Sequence, residues 1–293
     1  MKITLGTRGA KIALVQAKAV ADLLTAAGAE VEIKPFHTIG DSLNIGLAGQ
    51  RDSNIFTKEI DEALAKGQVN VAVHDMTHLS STLPAGISFA AVPQRLDPRE
   101  VFISNKAKKL GALAKGSRVG AAGTTRAPQL KQMNRDFEFV PIISDIEANL
   151  KAVSEDAVDA VVMAAADLVR LGIERAITEP LPPDKFIPAI GQGALAVEVG
   201  SLDRELVKFV SSACHHNATG IVIRAERAFL KSIKPDGSLF AAHAEIRPGG
   251  LAIFGFISDS EGEKFFADKE SGTIEQATEL GKTLAEKLLK KFT

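Results

Sequence analysis

The feature that most constrains this chain is an alternation of short apolar runs with amphipathic stretches of helical period. Ile3–Leu5 reads as a strand. Ala10–Ala27 follows with an apolar stripe from Ile12, Val15, Val20, Leu23 and Leu24, and Gly28 supplies a C-terminal stop. Glu30–Phe36 alternates with Val31 and Ile33 on one face, Phe56–Lys66 reads as a helix and Val69–Val73 as a buried strand. Such a rhythm predicts an α/β layer structure with a largely parallel sheet.

A second unit begins after the turn-prone LDPRE at Leu96. It shows strands at Arg118–Ala121, Phe137–Pro141 and Ala160–Ala164, with helices between them. The glycine-rich Val119–Gly123 sits at a strand end, where backbone amides could meet an anion, although most such loops are only turns. From about Gly220 a last unit offers a helix at Arg224–Leu230 and strands near Ala241–Ile246 and Leu251–Ile257. It closes with a helix over Thr273–Phe292, whose stripe is Ile274, Ala277, Leu280, Leu284 and Leu288.

Composition narrows the function classes. A chain of 293 residues has room for two or three cores. Its net charge of −1 argues against a nucleic-acid partner held by bulk electrostatics, so any anion site must be local. No stretch approaches the roughly 18 apolar residues of a membrane span, and the opening MKITLG lacks the charged start of a signal peptide. A single cysteine, Cys214, excludes an intramolecular disulfide and fits a reducing cytoplasm. The expectation is a cytoplasmic protein with neither a nucleic-acid nor a membrane partner.

Eight segments, in order, carry a resemblance. They are GTRGAKIALVQA from Gly6, FTKEID from Phe56, VNVAVHDMTHL from Val69 and RLDPREVFIS from Arg95, then VGAAGTTRAPQL from Val119, DAVVMAAADLVRLGI from Asp159, PAIGQGALAVE from Pro188 and HHNATGIVIRAERA from His215. In these the chain resembles the porphobilinogen deaminase (hydroxymethylbilane synthase) family of tetrapyrrole biosynthesis. The resemblance implies three α/β domains. The first two would be of type II periplasmic-binding-protein kind around a cleft: domain 1 from 1–93 and 194–211, domain 2 from 99–187. A small C-terminal domain would span 216–293.

That family joins porphobilinogen molecules head to tail with loss of ammonia, on a dipyrromethane primer held by a cysteine thioether. Each pyrrole carries an acetate and a propionate, which planar guanidinium forks hold in bidentate fashion. The resemblance makes Arg8, Lys58, Arg126, Arg170 and Gln192 the substrate- or anion-binding residues. The ligand class it implies is a small carboxylated molecule, porphobilinogen-like or a linear tetrapyrrole.

Departures from the pattern matter as much. His78 and Thr77 stand where the family has a catalytic aspartate and its neighbouring lysine, and Thr125 replaces the first of two adjacent arginines. Ungapped register sets Ile143 and Asn149 where two more arginines would lie. Asp236 or Ser238 takes the place of the thioether cysteine, and neither offers the thiolate that attachment needs. The expectations are therefore no dipyrromethane, no normal deaminase activity and a surviving anion-binding cleft. Two alternatives stay open: an active synthase with an unconventional primer arrangement, and different chemistry using His78 as acid or base. His74 and His78, spaced i, i+4 around Asp75, could ligate a metal from a helix, but they follow a strand directly and no third ligand is identifiable, so no metal is expected. Drift at an abandoned position also accounts for His78. His215 and His216 are expected to serve structure.

Overall fold

The computed structural model describes residues 1–42, 54–121, 123, 125–140, 142, 145–200, 202–233 and 237–293. Thirteen strands lie among them: β1 Lys2–Arg8, β2 Glu30–Phe36, β3 Val71–Asp75, β4 Ile87–Ala91, β5 Glu100–Ser104, β6 Arg118–Ala121, β7 Glu138–Val140, β8 Ala160–Ala164, β9 Glu179–Pro180, β10 Leu195–Gly200, β11 Leu239–Arg247, β12 Gly250–Ser258 and β13 Phe265–Gly272. The helices are α1 Lys11–Ala26, α2 Ile39–Ser42, α3 Lys58–Ala65, α4 Arg126–Met133, α5 Ile146–Ser154, α6 Ala165–Leu171, α7 Arg204–Cys214, α8 Asn217–Ser232 and α9 Ala277–Phe292.

Two compact units result. Described residues of unit 1 fall in 1–42, 54–96 and 193–223, those of unit 2 in 97–192 and 224–293. Unit 1 holds a sheet of order β2-β1-β3-β10-β4, parallel from β2 to β3, with β10 antiparallel to both neighbours. Unit 2 repeats the plan as β7-β6-β8-β5-β9, with β5 the antiparallel strand. The α/β expectation therefore holds, with one reversed strand in each sheet. A three-stranded antiparallel sheet, β11-β12-β13, completes unit 2.

Strand alternation decides which helix covers which face. In unit 1, Ile3, Leu5, Val71, Val73, Val197 and Val199 point into one core with Ala17, Val20 and Leu24 of α1 and Leu206 and Val210 of α7. Ala72 points the other way, against Ile60, Ala63 and Leu64 of α3. Gly28 adopts φ +96°, a left-handed stop that suits glycine, and ends the first helix where the sequence indicated. Helix α3 starts at Lys58 rather than Phe56, because residues 55–57 form a turn, and the Thr57 and Lys58 amides reach the Asn54 carbonyl. At the C-terminus one 3-10 turn, Ile274–Gln276, precedes α9 and leaves Ile274 exposed, while Leu280, Leu284 and Leu288 are buried as expected. A Cβ on Gly281 would lie 2.2 Å from the Ala225 carbonyl, so glycine lets α9 approach α8 closely.

Candidate functional site

In unit 1, β1 and β3 run parallel, so their C-terminal ends share one edge of the sheet. Arg8 ends β1, Asp75 ends β3, and a 3-10 turn, Met76–His78, follows. Asp75 shapes that turn by accepting from the Thr77 amide at 3.0 Å and the Thr77 hydroxyl at 2.7 Å, and it also accepts from Gln16 Nε2 at 2.9 Å. His78 emerges from the turn with its ring 4.5 Å from that of Phe56. The Arg8 guanidinium lies over the same phenyl ring at 4.3 Å from its centroid.

Asp41 fixes the far side of Arg8. Its Oδ1 accepts from Arg8 Nε at 3.1 Å and also from Nη2, while Oδ2 takes the Thr38 amide at 3.1 Å and hydroxyl at 2.8 Å. Burial acts to raise the Asp41 pKa, but the bonds from Arg8 and Thr38 outweigh it and the carboxyl stays below its usual value. His78 moves down as well, to about 4. Burial is the main cause, and the positive fields of Arg8 and His74 add to it against Asp75 and Asp41. At pH 7 the site thus presents a cation and a neutral imidazole against one phenyl ring.

Sequence reasoning chose Arg8 and His78 but missed Phe56 and Asp41, which join them. Phe56 lay in a quoted segment, yet only the fold shows that Gly40 admits its ring: a Cβ there would sit 2.1 Å from Phe56 Cδ1. Lys58 opens α3 as an exposed residue.

Unit 2 holds the other chosen residues, each on a protein partner. Arg126, the first residue of α4, donates through Nε to Glu100 Oε2 at 2.9 Å. Arg170 in the last turn of α6 reaches Asp167 Oδ1 at 3.4 Å. Gln192 donates to the Pro98 carbonyl at 2.8 Å. Thr125 and Asn149 are buried, and Ser238 is half-buried just before β11. Ile143 and Asp236 lie outside the described residues. Cys214 is buried in the unit 1 core, where desolvation pushes its thiol up to about 11. The histidine pair is structural: His215 Nδ1 accepts from the Val92 amide at 3.2 Å, and His216 Nδ1 bonds the Thr219 hydroxyl at 2.8 Å.

Two mixed sheets of one strand order, one in each unit, define an α/β protein. The particular family follows from comparison with known proteins. Residues 3–208 match the family model described as "Porphobilinogen deaminase, dipyromethane cofactor binding domain", and residues 221–290 match "Porphobilinogen deaminase, C-terminal domain". The porphobilinogen deaminase of Geobacter sulfurreducens is 37% identical, covering 98% of this chain and 91% of the relative. That of Syntrophomonas wolfei is 35% identical, covering 98% and 95%. A YaeC-family lipoprotein structure from Enterococcus faecalis gives a TM-score of 0.46 at 14% identity, over 77% of this chain and 96% of that one. The chain belongs to the porphobilinogen deaminase family.

This overturns one expectation. The reading that no dipyrromethane is involved rested on a single loop around Asp236 and Ser238. The family-model match instead makes residues 3–208 a dipyrromethane cofactor binding domain, and the expected absence is withdrawn. Attachment is read from one side chain, whereas recognition of the group is spread over a whole domain. Among the described residues, no helix is long and apolar enough to cross a membrane.

Proposed function

We propose that this protein binds pyrroles bearing carboxylate groups, porphobilinogen and its linear oligomers, and turns porphobilinogen over far more slowly than its relatives. The observation that carries this reading is His78, neutral at pH 7, at the position for which the family resemblance implies an aspartate. Joining pyrroles develops positive charge on the ring. A carboxylate placed beforehand stabilises that charge, whereas a neutral imidazole accepts a hydrogen bond from a pyrrole N–H without supplying a counter-charge. Losing a positioned acid–base group costs about 10²–10⁴ in rate. Arg8, held over Phe56 and by Asp41, supports the binding half of the proposal, because a positioned guanidinium matches an acetate or propionate.

The dipyrromethane named in the family model supplies, when bound, the primer onto which further pyrroles are added. Within unit 1, Arg8 is the guanidinium whose planar fork would suit its acetate and propionate groups. Cys214 does not serve as its attachment point, since that thiol is buried and protonated.

The test is porphyrin absorbance after acid oxidation of a porphobilinogen reaction, with an intact family enzyme run in parallel. Little product is expected from this protein, and a gain of about tenfold or more is expected from His78→Asp. Porphobilinogen and simple dicarboxylates should raise Tm in wild type and do so less in Arg8→Ala. Turnover within about tenfold of the control enzyme would instead establish an ordinary synthase.

A further inference from the structure

Away from the Arg8–His78 edge, unit 1 buries three ionisable side chains together. Antiparallel pairing of β10 with β3 sets Ala196 opposite His74 and Glu198 opposite Ala72. His74 and Glu198 therefore rise from the same face of the sheet as diagonal neighbours. That face is the one α3 covers, and α3 adds Asp61. His74 Nε2 lies 3.4 Å from Asp61 Oδ1 and 3.6 Å from Glu198 Oε2, and one ligand atom of each residue falls within 4.8 Å of the others. Relative exposures are 7%, 4% and 0% for Asp61, His74 and Glu198.

These separations do not suit hydrogen bonding. A charge-assisted N–H···O bond contracts to about 2.7–2.9 Å, and the one hydrogen on Nε2 serves only one direction well. Neither His74 Nε2 nor Asp61 Oδ1 has a hydrogen-bond partner among the described residues. The separations do suit a metal. Ligands at about 2.0–2.1 Å from a tetrahedral zinc ion stand roughly 3.3–3.5 Å apart. Two carboxylates beside one imidazole also provide the negative charge that makes a divalent cation welcome in an apolar interior.

We propose that Asp61, His74 and Glu198 form a binding site for a divalent transition-metal ion, zinc above all. The ligands are His74 Nε2 and one oxygen from each carboxylate. The ion pins α3 to β3 and β10, a structural duty separate from pyrrole binding. Since the ligands are sealed from solvent, the metal enters as the chain folds.

The full chain is therefore unfolded in denaturant with a chelator and refolded with and without Zn²⁺ or Co²⁺. Metal content is measured after gel filtration. The expected result is one ion per chain, a higher Tm for the metal-refolded protein, and visible Co²⁺ absorption typical of tetrahedral nitrogen and oxygen ligands. Asp61→Asn and Glu198→Gln should lose the bound ion. Glu226→Gln should keep it. That control alters another buried acid–histidine contact, Glu226 Oε1 to His243 Nδ1 at 3.4 Å, where no group of three ligands meets among the described residues. Should either ligand variant fail to refold, the wild-type metal count and Co²⁺ spectrum still decide. Metal-refolded wild type carrying no more metal than the chelated sample would overturn the proposal and leave a cluster held by shared protons.

Discussion

The two five-stranded sheets order their strands alike but offset a buried glutamate differently. In each, the reversed strand carries one that is 0% exposed: Glu198 on β10 and Glu100 on β5. Unit 2 sets Glu100 against the Arg126 guanidinium at 2.9 Å. Unit 1 sets Glu198 near His74, with Asp61 as a second acid. A guanidinium keeps its charge at every accessible pH and an imidazole does not. One architecture thus supports a guanidinium–carboxylate pair in one unit and a cluster of two acids and an imidazole in the other. The difference lies in side chains and not in topology.

The largest expected effect tests the guanidinium–carboxylate pair. Arg126→Met leaves Glu100 in the interior without its guanidinium, and breaking a buried pair from one side costs roughly 3–5 kcal/mol. The double variant Glu100→Leu with Arg126→Met should recover most of that loss, because an apolar pair replaces the ions. Urea denaturation measures both. A single-variant loss below about 1 kcal/mol would mean that Glu100 reaches water or another cation, and the contrast between units would collapse.

Much of this architecture was legible. Glu30–Phe36, Arg118–Ala121 and Ala160–Ala164 were read with the bounds they have, because local alternation and apolar runs specify them. The reversed strands were not. Leu195–Glu198, most of β10, belongs to the family segment PAIGQGALAVE, yet nothing local says that this strand inserts between β3 and β4, more than a hundred residues earlier. β13, Phe265–Gly272, was missed because only its partner β12 makes a strand of FFADKESG. The candidate site followed the same rule. Arg8 and His78 were visible as residues in motifs, whereas the grouping of Asp61 with His74 and Glu198 needs a helix and two strands brought together.

A second, smaller effect tests the pH response of unit 1. The folded-state pKa of His78, about 4, lies below the ordinary histidine value near 6.5, so the unfolded chain binds the extra proton between those pH values. Stability should then rise with pH across that window, and it is lost as pH falls from 6.5 toward 4. The span is up to about 3 kcal/mol. His78→Gln should flatten the profile there. Parallel profiles for wild type and His78→Gln would show that other groups carry the titration.

The smallest effect compares the second strand of each sheet. Gly6 on β1 and Gly120 on β6 occupy matching strands, and each keeps a close neighbour above the sheet. A Cβ on Gly6 would meet Val69 Cγ2 at 3.1 Å and Ile60 Cγ2 at 3.3 Å, contacts that slight side-chain adjustment relieves. On Gly120 it would fall 2.4 Å from Ile142 Cγ2 and 3.1 Å from Val161 Cγ1, so something must shift. Overpacking of that kind costs about 1–3 kcal/mol. Gly120→Ala should therefore destabilise the protein by about that amount and Gly6→Ala by less than about 1 kcal/mol, both read from urea midpoints at constant m-value. The reverse order would show that the interior under α3, where Asp61, His74 and Glu198 meet, is the more tightly fitted of the two. A bound ion drawing α3 onto the sheet would produce that reversal, so the pair of alanine variants also bears on whether the acid cluster is filled.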